Sequence, residues 1–113
     1  MSRIAAVEEW SPRQVDEARA SRKIRLVDVR QSFEHWLDRI PGSELRPVGS
    51  FLESAPPDTG EEWILYCQSG GRSGAAAQHL ASLWGRPIAH LSGGISAWKA
   101  AGLPTERWGR GGE

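Results

Sequence analysis

Trp63-Ile64-Leu65-Tyr66-Cys67-Gln68-Ser69-Gly70-Gly71-Arg72-Ser73-Gly74-Ala75-Ala76-Ala77 decides the fold of this chain, because it passes from strand to tight loop to helix without interruption. Trp63 to Tyr66 suit a buried strand, the Gly70-Gly71 pair cannot continue it, and the alanine-rich run beyond has high helix propensity. Cys67, the only cysteine in the chain, therefore falls at the carboxyl end of a strand. In open parallel α/β sheets ligands bind in the crevice beyond the strand C-termini. A helix N-terminus facing that crevice offers unpaired N–H groups and a positive dipole end. An anion formed at Cys67 would be well placed there.

Working outward, Ala76, Leu80, Leu83 and Trp84 are expected on one face of the helix after the loop, with Gly85 as a left-handed cap and Pro87 blocking continuation. Ile88 to Leu91 reads as the next strand. Gly93-Gly94 opens a last helix with Ile95 and Trp98 on one face, ended by Gly102 and Pro104. Upstream, Ala55-Pro56-Pro57-Asp58-Thr59-Gly60 is a surface turn. Ile24 to Arg30 is a β-branched, apolar strand that carries Asp28 and Arg30 at its C-terminal, crevice-facing end, and Gln31 to Leu37 a short helix stopped by Ile40-Pro41-Gly42. Ser43 to Ser54 reads as a short strand and a helical turn around Phe51-Leu52. Ser11-Pro12-Arg13-Gln14 supplies an N-cap serine, a first-turn proline and a capping-box glutamine for a helix from Pro12 to about Ala20, preceded by a strand over Ile4 to Val7. The alternation of strand and helix argues for a parallel sheet with helices on both faces. One domain over 1–104 is expected, with 105–113 as a mobile Gly/Arg-rich tail.

At 113 residues, 39% hydrophobic and 25% charged, the chain is long enough for one ordinary core. Its 14 basic residues balance 14 acidic ones, which argues against nucleic acid or an anionic membrane as partner. Acidic Glu8 and Glu9 arrive before a secretory apolar stretch could form, no window reaches the length of a membrane span, and a cytoplasmic location is expected. A lone cysteine makes no internal disulfide, and His35, His79 and His90 show no ligand spacing with it, so neither a metal nor a cofactor is implied. Of the six tryptophans, Trp63, Trp84 and Trp98 fall at core-facing positions, while Trp36 and Trp108 are left open.

Cys67 is therefore either a small buried hydrophobe or a reactive thiol. The residues that follow favour the thiol. Successive N–H groups from Cys67 to Arg72, with Gly70 and Gly71 among them, can curl around the sulfur as an anion-binding nest. Lowering a thiol pKa from ~8.5 to ~7 requires about 2 kcal/mol of preferential thiolate stabilisation. A helix N-terminus contributes ~0.3–1 kcal/mol, up to ~2 when partly buried, and Arg72 is expected to add more, so no general base is needed.

Cys67-Gln68-Ser69-Gly70-Gly71-Arg72 resembles the six-residue active-site loop of single-domain rhodanese-like sulfurtransferases. Leu26-Val27-Asp28-Val29-Arg30 with Glu34 and Ile40-Pro41-Gly42 is similar to the family's upstream signature, although Asp38-Arg39 stands where Gly-His is common. Ser92-Gly93-Gly94-Ile95-Ser96-Ala97-Trp98 through Ala101-Gly102-Leu103-Pro104 is similar to its downstream one. The resemblance implies a five-stranded parallel sheet flanked by helices, and a Cys67 persulfide whose outer sulfur is cradled by the loop. Gln68, Ser69, Gly70, Gly71, Arg72 and Ser73 would then bind substrate. Asp28 and Arg30 are expected to orient the loop or line its mouth, although an Asp at a strand end equally suits capping a turn.

That reading makes the chain a sulfurtransferase of the thiosulfate type, taking sulfane sulfur from a small donor and passing it to cyanide, a thiol or a protein acceptor. The alternative is a persulfide carrier or interaction module docking on a partner enzyme. Phosphatases and arsenate reductases of related fold place five residues between cysteine and arginine, whereas four stand here, a ring too small for a tetrahedral oxyanion. A cysteine hydrolase would need His79 or His90 as base, and neither has a spacing that argues for it. Gly70 to Gly74 lacks the lysine and glycine spacing of a nucleotide P-loop.

Overall fold

The computed structural model describes residues 6–107. Five parallel strands, β1 (Val7–Trp10), β2 (Arg25–Asp28), β3 (Glu44–Leu45), β4 (Trp63–Tyr66) and β5 (Ile88–Leu91), form one sheet in the order β1-β5-β4-β2-β3. Between and after them lie α1 (Pro12–Ser21), α2 (Ser32–Leu37), α3 (Val48–Glu53), α4 (Gly71–Trp84) and α5 (Gly94–Ala100). The fold is the expected α/β sheet with helices on both faces. From β2 the chain moves outward to β3, and from β4 it moves the other way to β5. The reversal falls between β2 and β4, so Asp28, at the end of β2, and Cys67, just past β4, lie at the point where ligands bind in open α/β sheets.

Alternation along the central strands divides the core. Leu65 and Cys67, with Val27 and Val29, face Ala76, Ala77, Leu80 and Ala81 of α4, and Phe51 of α3. Ile64 and Tyr66 face the other way, onto Val15 of α1 and Ile95 and Trp98 of α5. All four residues of β4 are buried, as an apolar run in a doubly covered strand requires. Trp63 meets Trp84 edge-on at 5.2 Å, while the Trp98 indole donates to the Pro104 carbonyl at 2.7 Å, so these rings are packing elements. Trp36 is 54% exposed, and Trp108 lies outside the described residues.

Ser11 caps α1 with the full reciprocal box: Gln14 N donates to Ser11 Oγ at 3.2 Å, and Ser11 N donates to Gln14 Oε1 at 2.8 Å. Two expectations are corrected. Among the described residues the first strand is Val7–Trp10, running three residues beyond the expected end at Val7, because pairing with β5 sets its register, Val7 beside Ile88 and Trp10 beside Leu91. Ile4 itself lies outside the described residues. Leu83 does not share the buried face of α4: it is 57% exposed, about a quarter turn from the stripe centred between Leu80 and Trp84. Where the tail is expected to begin, Glu106 forms an antiparallel bridge with Arg39, N–H to O at 2.9 Å in both directions. Residues 108–113 lie outside the described range. Among the described residues no helix is long and apolar enough to cross a membrane.

Candidate active site

Cys67 follows β4 directly, and the chain from Gln68 to Gly70 turns so that α4 starts over the sulfur. Gly70 makes the turn at φ 113°, a left-handed conformation that a side chain would resist. Its N–H then points at Cys67 Sγ, 3.1 Å away, and Ser73 N–H approaches from the first turn of α4 at 3.3 Å. The helix supplies these donors because its first amides have no intrahelical partner. Burial pushes the Cys67 thiol up, but the Ser73 hydroxyl and the N–H groups of Ser73, Gly70 and Ser69 outweigh it, holding the thiol below its ordinary range.

The loop is fastened from below by α5. Ile95 N–H donates to Cys67 O at 2.9 Å and Ser96 N–H to Gln68 O at 3.1 Å, so a second helix start binds the two carbonyls that the turn leaves without partners. This close approach explains Gly94: a Cβ there would meet Gln68 O at 2.4 Å and Cys67 O at 2.5 Å. Gln68 is held on both flanks of its side chain. Arg30 Nη1 donates to its Oε1 at 3.2 Å, and its Nε2 donates to Ser96 Oγ at 3.0 Å.

Asp28 and Arg30 do not line an open mouth, as charges at a crevice-facing strand end would. Both are fully buried, with Arg30 Nη2 on Asp28 Oδ2 at 2.8 Å and the guanidinium also touching Asp38. Burial works against the Arg30 charge, but the Asp28 carboxylate outweighs it and the pKa is raised. Asp28 further meets His35 Nδ1 at 2.9 Å. Through Gln68 this buried pair reaches the loop.

Arg72 is engaged first by Glu34 and adds to thiolate stabilisation as a lesser, Coulombic partner of Cys67. Both its Nη groups donate to Glu34 of α2, at 2.7 and 2.9 Å. It attracts the sulfur's charge, while the larger causes of the lowered Cys67 pKa are Ser73 and the loop amides. Gly71 begins α4 and is exposed, and Ser69 is exposed at the rim. Sequence reasoning missed Glu34 as the partner of Arg72, and it missed His90 and Glu9: His90 Nδ1 stands 2.8 Å from Ser73 Oγ, and its Nε2 stands 2.9 Å from Glu9 Oε2. One signal was available, a histidine in the otherwise apolar strand Ile88-Ala89-His90-Leu91. Among the described residues no three His, Cys, Asp or Glu side chains converge as a metal site.

A cysteine at a strand end, ringed by loop amides and stitched to a second helix through a Gly-Gly start, lies within the stretch that the rhodanese-like domain profile matches, residues 11–101. The chain belongs to the rhodanese-like domain family. Among curated relatives, an uncharacterized protein of Synechocystis is 40% identical over 96 residues, 84% of this chain and 54% of that protein. A sulfurtransferase of Allochromatium vinosum is 32% identical over 84 residues, 72% of this chain and 77% of that one. The solved thiosulfate sulfurtransferase of Pseudomonas aeruginosa superposes with a TM-score of 0.77 at 30% identity, covering 96% of this chain and 21% of that one. This rhodanese-like chain thus spans about half the length of the Synechocystis relative and about a fifth of the Pseudomonas structure. The family is of sulfurtransferase type.

Proposed function

We propose that this rhodanese-like domain transfers sulfane sulfur through a persulfide on Cys67. In the first half-reaction the Cys67 thiolate attacks the outer sulfur of thiosulfate, a new S–S bond forms, and sulfite leaves with the electron pair of the old one. In the second, cyanide or a thiolate attacks the terminal sulfur and Cys67 leaves as thiolate. Each step exchanges one S–S bond for another sulfur bond, so neither oxidant nor cofactor is required. Ping-pong kinetics follow. The observation that carries the reading is the pair of N–H groups, from Gly70 and Ser73, aimed at Sγ from the start of α4. They favour a thiolate before reaction and a persulfide anion after it, and Ser69 and Gln68 form the rim over which donor and acceptor arrive.

Incubation with thiosulfate should add one sulfur atom to the intact mass, and Cys67→Ser should neither gain it nor form thiocyanate from cyanide. Sulfur transfer by that variant would overturn the mechanism.

A second reading, a persulfide carrier for a protein acceptor, is favoured by α2. The helix that holds Arg72 through Glu34 also presents Phe33 and Leu37, each 62% exposed. Exposed apolar side chains beside a reactive loop suit a macromolecular acceptor. Turnover that is slow with every small acceptor but fast with a persulfide-accepting protein would select this reading.

A further inference from the structure

Behind Ser73 runs a chain of polar groups that the sulfur-transfer scheme does not use. Glu9 and His90 are directly paired residues of β1 and β5, so their side chains share the sheet face that α4 covers. The His90 ring is almost fully buried while the Glu9 carboxylate reaches solvent, and His90 Nε2 meets Glu9 Oε2 at 2.9 Å. On its inner side Nδ1 meets Ser73 Oγ at 2.8 Å. The ring packs against α4 beside Gly74, where a Cβ would touch His90 Cε1 at 3.4 Å. Glu9 from β1 and Ser73 from α4 are the groups bonded to the imidazole among the described residues, with Cys67 at the end of β4 beyond the hydroxyl.

We propose that Glu9 and His90 are positioning residues that set the direction of the Ser73 hydroxyl, and through it the charge held at Cys67. Proton counting leads there, given Cys67 as the reactive thiol. An ionised carboxylate only accepts hydrogen bonds, so Glu9 requires a proton on His90 Nε2. A neutral His90 then has a bare Nδ1, which competes with Cys67 Sγ for the Ser73 proton and weakens the hydroxyl's hold on the sulfur. A cationic His90 donates from Nδ1 to Ser73 Oγ instead, freeing the hydroxyl proton for Cys67 Sγ or for Gly70 O, which lies 3.3 Å from Ser73 Oγ. Glu9, outside the loop and exposed, therefore selects which acceptor the buried hydroxyl serves.

Two measurements test this. The ring carbon and nitrogen shifts of His90 by NMR, followed to the pH at which they stop changing on the alkaline side, should report the Nε2–H tautomer in the wild type, and an Nδ1–H tautomer would overturn the proposal. Independently, the rate of Cys67 alkylation by iodoacetamide against pH should be followed in wild type, Glu9→Gln, Ser73→Ala and the double variant. A glutamine can donate to Nε2, which permits Nδ1–H and turns the hydroxyl to the sulfur. Glu9→Gln should therefore shift the alkylation profile down by about half a pH unit, as one added hydrogen bond to a charged acceptor allows. The shift should vanish in the Ser73→Ala background. An equal shift in both backgrounds would mean that Glu9 acts only as a charge, and no shift in either would mean that the hydroxyl does not report its state; both outcomes overturn the proposal. Alkylation reads the thiol and not sulfur transfer, so failure of the transferase reading leaves this test intact.

Discussion

Arg72 gives both terminal nitrogens of its guanidinium to Glu34, 38 residues away in sequence, at 2.7 and 2.9 Å. The loop's arginine is thereby anchored to α2, its charge shared with a carboxylate. On the proposed sulfur-transfer reading, its role is to meet an anionic donor more than to ionise the thiol. Arg72→Ala should lower kcat/KM for thiosulfate by about tenfold, corresponding to about 1.4 kcal/mol, mostly through KM, while moving the Cys67 alkylation profile by less than about half a pH unit. A full-unit upward shift in alkylation with thiosulfate use unchanged would reverse that assignment.

The same pair sets a pH dependence. The Arg72 guanidinium, against the opposing effect of burial and with help from the Gln31 N–H, holds the Glu34 carboxyl down to about 2. A depressed carboxylate pKa stabilises the fold above its unfolded value, ~4.3 for glutamate, and that contribution is lost as pH falls through the folded value. Wild type should therefore exceed Glu34→Gln in stability at neutral pH, and the gap should close between about pH 4.3 and pH 2. Denaturant melts at stepped pH read it directly, and a gap constant down to pH 2 would show that Glu34 acts through packing.

Gly94 is where loop and α5 approach most closely. Its φ of 63° and the backbone atoms that a Cβ would meet within 2.5 Å leave no flexible neighbour to move aside. Gly94→Ala should cost on the order of 2–4 kcal/mol, overpacking plus left-handed strain, and should reduce sulfur transfer even at temperatures where the protein stays folded. Gly102, also at positive φ but with open space around it, is the control: Gly102→Ala should lose stability from strain alone and keep activity.

What the sequence disclosed and what it concealed divide along contour length. Cys67, Gly70 and Ser73 were legible because strand, turn and helix start are contiguous, so propensity and loop geometry alone bring their groups together. The two glycine signatures were legible for a similar reason, each marking a helix start. Glu34, 38 residues from Arg72, and Glu9, 81 residues from His90, are brought in by sheet order and by the packing of α2, which no local pattern encodes. The end of β1 was misplaced for the same cause, since Glu8 and Glu9 make a polar edge strand whose register only β5 can fix. Arg30 was visible as a charge but not as a buried one, because its partners Asp28, Asp38 and Gln68 converge from three segments.

Loop length can be tested as the determinant of substrate class. Four residues separate Cys67 from Arg72, and the Gly70 and Ser73 amides close on a single sulfur from opposite sides of the Gly70-Gly71 bond. One glycine inserted at that bond separates the two donors while leaving the α5 contacts to Cys67 O and Gln68 O in place. The fold should survive, since lengthening a loop by one residue costs well under about 1 kcal/mol of closure entropy. Sulfur transfer should fall on the order of a hundredfold, because a displacement of about 1 Å at the reacting atom has that effect. The widened ring should also acquire weak inhibition by phosphate or arsenate. If the folded insertion variant transfers sulfur at the wild-type rate, the spacing of the Gly70 and Ser73 amides is not what fits this loop to sulfur, and the exclusion of oxyanions must come from elsewhere at the rim.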